Sequence, residues 1–192
     1  MKEQIRSAIL LFIILSLLTG IFYPSFITGV AYIFFPHQSN GSMLYQNNKF
    51  LGSALIGQEF TDPKYFWGRI SGTSPVTYNG SSSSGSNLGP SNPVLIDKVK
   101  ERIRTLKEFD PGNTNPIPID LVTSSASGLD PHISIAGAYY QIPRVARMRG
   151  LTEETVKAIV NKYTSHRIFG LIGEPVVNVL ELNLELDSIK IK

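Results

Sequence analysis

Between Ser7 and Pro36 the chain carries no charged side chain, and most of its positions are apolar. At about 1.5 Å per residue, a helix over that run exceeds the roughly 30 Å hydrocarbon core of a bilayer. A small water-facing domain has no core deep enough to hide such a helix. The chain is therefore expected to cross a membrane once, near its N-terminus. Pro24 falls inside the run, where it is expected to kink or end the helix. The expected span is residues 7–28, with an interfacial linker over 29–41. Tyr32, Phe34 and Phe35 would settle there at the level of the headgroups.

Charge gives the orientation. Lys2 and Arg6 precede the span, and the first Lys or Arg after it is Lys49. This bias keeps residues 1–6 in the cytoplasm and exports residues 42–192. A cleaved signal peptide is the rival reading. Its apolar region is about 7–15 residues long and ends in a small-x-small site. Here the run is much longer, and Gly29-Val30-Ala31 precedes the still apolar Tyr32-Ile33-Phe34-Phe35, so an uncleaved anchor is expected.

About 155 residues remain, enough for one domain with its own core. The absence of cysteine is compatible with an exported domain that needs no disulfides. The net charge is +3, one unit of it in Lys2, Glu3 and Arg6, and the basic residues are not clustered. That is no nucleic-acid footprint.

Residues 42–57 read as a hairpin turning at Asn47-Asn48. Residues 71–92, rich in Ser and Gly and broken by Pro75 and Pro90, read as an ordered surface loop. Asn92 before Pro93 is an N-cap and first-turn signature. The helix it opens runs to about Glu108 on the apolar face of Val94, Leu95, Val99, Ile103 and Leu106. Residues 111–118 read as an extended connector. Asp130-Pro131 repeats the signature and predicts a helix from there towards Arg149, kinked at Pro143 and ended by Gly150. Thr152 caps a further helix with Val156, Ile159, Val160 and Tyr163 on its buried stripe. Leu180, Leu182, Leu184 and Leu186 alternate with polar residues and predict a half-buried strand. The expectation is a single transmembrane helix and then one mixed α/β extracytoplasmic domain of the α+β class.

The residues argue against several chemistries. No serine lies in a Gly-x-Ser-x-Gly elbow or a Ser-x-x-Lys pair. Asp130 and His132 reach a hydrolase triad only through long-range contacts, and Asp130 reads more simply as a helix cap. His37, His132 and His166 lack metal-ligand spacing, so no metal site is expected. Residues 52–57 have the glycine spacing of a phosphate loop, but Gln58-Glu59 stands where the lysine is needed. Neither an Asp-Lys-Thr-Gly stretch nor a Thr-Val-Gly-Tyr-Gly filter is present. Arg144, Arg147 and Arg149 remain as the best candidates, with Gln141 beside them. They either pair with carboxylates on a partner or decorate a solvated face at a helix end.

Several strings, taken together, carry a resemblance. They are Gly52-Ser53-Ala54-Leu55-Ile56-Gly57-Gln58 with Phe60, Tyr65-Phe66 with Arg69, and Ser84-Gly85-Ser86-Asn87-Leu88-Gly89-Pro90-Ser91-Asn92-Pro93. Further on come Asp120-Leu121-Val122-Thr123 and Ser127-Gly128-Leu129-Asp130-Pro131-His132-Ile133-Ser134. Gln141, Arg144-Val145-Ala146, Arg149-Gly150-Leu151, Gly173-Glu174-Pro175 and Val177-Asn178-Val179-Leu180 complete the set. With these the chain resembles the C subunit of the Kdp potassium-transporting P-type ATPase over nearly its whole length. It departs from the family at Ile70, where proline is usual, and at Val176, where arginine is usual. The second departure removes an ion-pairing group, so a contact made through that arginine is not carried over.

The resemblance implies a non-catalytic subunit of a complex that imports potassium using ATP. Its implied partners are a channel-like potassium-translocating subunit, an ATP-hydrolysing P-type subunit and a small membrane peptide. It also implies a role in assembly and a raised ATP affinity of the hydrolysing subunit. ATP and potassium are then handled by the complex, and no cofactor is assigned to this chain. The alternatives are an anchored extracytoplasmic hydrolase and a stand-alone binding module. A hydrolase predicts His132 beside a serine and an acid. A subunit predicts an exposed apolar or arginine-rich patch.

Overall fold

The structure is a computed structural model that describes residues 1–46 and 48–189. Its N-terminal run is helical from Lys2 to Phe34, long and apolar enough to cross a membrane, and none of it is buried. The path comprises α1 (Lys2–Leu17), a π-helical turn (Leu18–Phe22) and α2 (Tyr23–Phe34). Of the two outcomes expected at Pro24, a kink or an end, the helix does not end there. A proline has no N–H to donate and crowds the carbonyl four residues back, here that of Gly20. Gly20 lies within the π turn, where the wider ladder makes room for the ring.

The short α3 (Pro36–Ser39) leads into β1 (Met43–Gln46) and β2 (Lys49–Ser53), an antiparallel hairpin paired from Met43 opposite Ser53 to Gln46 opposite Lys49, with a one-residue shift of register between Leu44 and Tyr45. Asn48 takes a positive φ of 60°, as a tight turn demands, and Asn47 lies outside the described residues. By packing, the chain divides into Met1–Ser53 and Ala54–Lys192.

The second unit contains the core. Residues 71–92 form an ordered loop, bound to the 127–128 turn from Ser71 Oγ to the Gly128 carbonyl (2.7 Å) and from Ser84 N to the Ser127 carbonyl (3.0 Å). Gly128 has φ +69°, and a Cβ there would lie 2.5 Å from the Ser84 carbonyl, so a larger residue would push the loop away. α4 (Pro93–Phe109) starts at Asn92, whose side chain accepts from Val94 N, and it buries Leu106. A single 3-10 turn (Ile119–Leu121) comes after the 111–118 connector.

Asp130 caps no helix. Its Oδ1 accepts from His132 N at 3.0 Å in a local turn, and β3 (His132–Ser134) comes next. The sheet wins Ile133, which pairs with Val177 in the core, and Ser134 supplies a competing cap four residues on. Helix α5 (Ile135–Arg149) therefore begins at Ser134, whose Oγ accepts from Gly137 N, continues through Pro143 and stops at Gly150 with a left-handed φ of 62°. Thr152 accepts from Thr155 N and starts α6 (Glu153–Lys162).

β4 (Thr164–Ser165) and β5 (Val176–Asn178) complete an antiparallel sheet of order β3-β5-β4. The segment expected as a final strand is instead α7 (Val179–Ser188). Asn178 accepts from Glu181 N as its N-cap, and Leu and Glu are both good helix formers. Val179, Leu182, Asn183 and Leu186 are buried at helical spacing, so the leucine alternation is incidental. α5, α6 and α7 pack with the sheet around Ile133, Val145, Val156, Val160, Val177 and Leu182.

Candidate functional site

Residues 63–68 are an irregular stretch in which Phe66 and Trp67 are fully buried. Buried backbone without a strand partner must find hydrogen bonds elsewhere. Side chains donate to every carbonyl of the stretch. Arg144 donates to Pro63 and Tyr65, Arg149 to Lys64 (2.8 Å), Asn183 to Phe66 (3.0 Å), Gln141 to Trp67 (3.1 Å) and Arg102 to Gly68 (3.1 Å). The amides also accept in return, Asn183 from Phe66 N at 2.9 Å and Gln141 from Trp67 N at 2.8 Å. Each thus imitates a neighbouring strand for one residue.

Arg144 is 1 % exposed, stacked 4.0 Å from the Trp67 ring centre, and its remaining bond goes to Gln141 Oε1 (2.7 Å). Burial pulls its guanidinium down to about 10, against the opposing field of Asp110. It still carries a charge near neutral pH, held by neutral oxygens and an indole face. Arg102 lies over the same ring at 5.2 Å.

The candidate arginines consequently separate. Arg144 and Gln141 sit inside the domain, so neither presents itself to a partner. This corrects the expectation that Arg144 is an interface or solvated-face residue. The physical reason is that the carbonyls of Pro63 and Tyr65, half-buried without a strand partner, need donors, and Arg144 reaches them from α5. Arg149 is mostly covered, bound to the Lys64 carbonyl and to Asp187 at 2.8 Å. Arg147 alone is half exposed, and it pairs with the buried Asp110 at 2.9 Å.

The acid near His132 is likewise engaged. Asp130 faces His132 Nδ1 at 3.4 Å and Arg69 Nη1 at 3.1 Å. Burial tends to raise its pKa, but the hydrogen bonds from His132 and Arg69 outweigh that and hold the carboxyl below its ordinary value. Among the described residues no hydrogen bond joins His132 to a serine hydroxyl, and no group of three or more His, Cys, Asp or Glu could hold a metal. A neighbouring cleft of about 210 Å³ is lined by Glu59, Phe60, Trp67, Arg69, Tyr78 and Arg102. Its Tyr78 hydroxyl donates to the Arg69 carbonyl (2.6 Å), and burial pushes its pKa up to about 12. That leaves it a hydrogen-bond donor at neutral pH and no base.

One surface is not anticipated by the sequence reading. Ile168, Phe169, Leu171 and Ile172 all point to solvent on the turn between β4 and β5. Its signal in the sequence is the apolar Ile-Phe-Gly-Leu-Ile run between Arg167 and Glu174, beside the Gly173-Glu174-Pro175 string that carries part of the resemblance.

Against this geometry the comparisons with known proteins are uniform. The family described as "KdpC: K+-transporting ATPase, c chain" matches residues 5–188. A "Potassium-transporting ATPase KdpC subunit" from Ralstonia nicotianae is 59% identical over 186 residues, covering 97% of this chain and 91% of that one. Proteins with the same description from Methylococcus capsulatus (52% over 190 residues; 99% and 100% covered) and Dechloromonas aromatica (56% over 189 residues; 98% and 99% covered) are similarly close.

Proposed function

The chain belongs to the KdpC family of potassium-transporting ATPase subunits, and from that membership we propose that it serves the assembly of the import complex from outside the cytoplasm. It is an accessory subunit of a membrane ATPase, not the catalytic one. The observation that carries the proposal is the near full-length match of a chain whose helix Lys2–Phe34 is apolar and wholly unburied. A helix so apolar and so exposed needs lipid or other membrane helices around it.

In this reading the N-terminus is cytoplasmic, residues 7–28 cross the membrane and the domain over 42–192 is exported. The helix packs against the channel-like potassium-translocating subunit, and the ATP-hydrolysing subunit and a small membrane peptide complete the complex. The domain borders the outer mouth of the pore, where it stabilises the assembly. A raised ATP affinity of the hydrolysing subunit then arises indirectly. The domain favours one conformation of the complex over another, and nucleotide binding responds to that bias. The buried 63–68 cradle supports a rigid scaffold rather than a chemical site.

Two measurements test this. The chain lacks cysteine, so S81C and K2C variants each report one side of the membrane. A membrane-impermeant maleimide should label S81C on intact spheroplasts and K2C only after lysis, and the reverse pattern would refute the topology. Mild-detergent purification of the tagged chain from potassium-starved membranes should bring channel-like and P-type subunits with potassium-stimulated ATP hydrolysis. Recovery of the chain alone, with those subunits present and intact, would sink the proposal.

A further inference from the structure

Single exposed apolar side chains are ordinary on a protein surface. Four in five positions on one turn are not. Ile168 is 61 %, Phe169 91 %, Leu171 82 % and Ile172 65 % exposed, in the connection between β4 and β5. The turn is pinned in that shape. Ile168 N donates to the Ile172 carbonyl (2.9 Å) and Ile172 N to that of Ile168 (3.1 Å), while Leu171 N also reaches the Ile168 carbonyl (3.1 Å). At the base Arg167 Nη2 grips both Glu174 oxygens at 2.7 and 2.8 Å. Phe169 itself adopts φ +53°, a region that costs energy for a residue with a Cβ. Strain of this kind persists only where surrounding bonds enforce it. Here the enforced shape holds the ring in water, although each such side chain gains about 1.5–3 kcal/mol when buried.

We propose that this tip is an anchor that seats in an apolar, uncharged pocket on another protein subunit of the same complex. The inference rests on the subunit reading above. Charge decides between a protein pocket and a lipid surface. Segments that lie in anionic headgroups are typically rich in Lys or Arg on their polar face. Here the adjacent Arg167 is committed to Glu174, and Lys162 to Glu185 at 2.6 Å. The Arg167–Glu174 pair at the base is internally neutral, so a pocket without charges can close over the tip and strand no ion of that pair. An aromatic ring presented on a rigid turn also matches the aromatic side chains enriched at the cores of protein interfaces.

The test uses the full chain in native membranes. A p-benzoylphenylalanine in place of Phe169 should photocrosslink to another subunit of the ATPase, with Ser81 as the control position. The F169S/L171S variant should recover about tenfold fewer ATPase subunits per chain than wild type. F169L should recover them normally. Circular dichroism and the melting temperature of F169S/L171S should match wild type, because these side chains touch water. Crosslinks confined to lipid, or undiminished recovery with F169S/L171S, would overturn the inference while the wild-type complex still purifies intact. If the wild-type chain brings down no ATPase subunit, the subunit reading falls, and this inference with it.

Discussion

Arg144 and Arg147 stand three positions apart on α5 and do different work. Arg144 fills the core beneath Pro63–Trp67, whereas the half-exposed Arg147 reaches in to the buried Asp110. Truncating Arg144 leaves the part-buried Pro63 and Tyr65 carbonyls without its donors, takes one of two donors from the Gln141 oxygen and opens a void beside Trp67. R144A should therefore lose about 3 kcal/mol or more in denaturant titration, and R144K should rescue little because one ammonium cannot replace the fork. R147A takes its cation from the buried Asp110, which keeps Asn113 as a partner, and should lose less, about 2 kcal/mol. Equal losses would contradict the cradle. Asp130 gives a pH signature. Its folded-state pKa lies below the unfolded value, so its contribution is present above about pH 4 and is lost as pH falls through the folded value. Titrated downward from pH 5, wild type should lose stability faster than D130N, and parallel curves would show that the Arg69–Asp130–His132 contact contributes nothing. That three arginines cluster near a helix end is legible in sequence. That one points inward is not, because the carbonyls it serves lie roughly 80 positions earlier.

At the scale of elements, the local signals that worked were caps. Asn92, Thr152 and Gly150 bound their helices through contacts within a few residues. The failures came where two local signals competed. Asp130-Pro131 and Ser134 both offer caps, and pairing of Ile133 with Val177 chose the later one. Leucine alternation after Asn178 fits a strand, yet Asn178 is itself a cap and the Leu/Glu composition favours helix. The two readings of 180–187 differ measurably. In α7 Leu182 and Leu186 are buried, and Leu184 is only partly covered. L182A and L186A should each lose about 3 kcal/mol, and L184A about 1 or less. A strand would make all three alike, and comparable losses across the set would reject the helix. Pro24 is a milder case, since the run signals a span but the π turn that lets the helix pass the proline has no sequence mark.

For the whole molecule, the long apolar N-terminal helix and the family were legible because each is written in long stretches of sequence. A run without charge needs no tertiary information, and many ordered strings define membership more firmly than any one motif. The cradle that organises the domain was not legible, since Asn183, Gln141 and Arg102 meet residues 66–68 across separations of 117, 74 and 34 positions. Nor was the outward turn of Phe169, which depends on a backbone held by reciprocal bonds. Arg144, Gln141 and Asn183 serve the domain's own interior, while an apolar tip and an apolar helix stay unburied. That distribution suits a part of a larger assembly. The most direct measurement is ATP-driven potassium uptake, at low external potassium, by cells lacking this chain and by the same cells with it restored. Uptake should be lost without the chain and return with it, together with the assembled complex. High-affinity uptake unchanged in its absence, with the other subunits intact, would contradict the account.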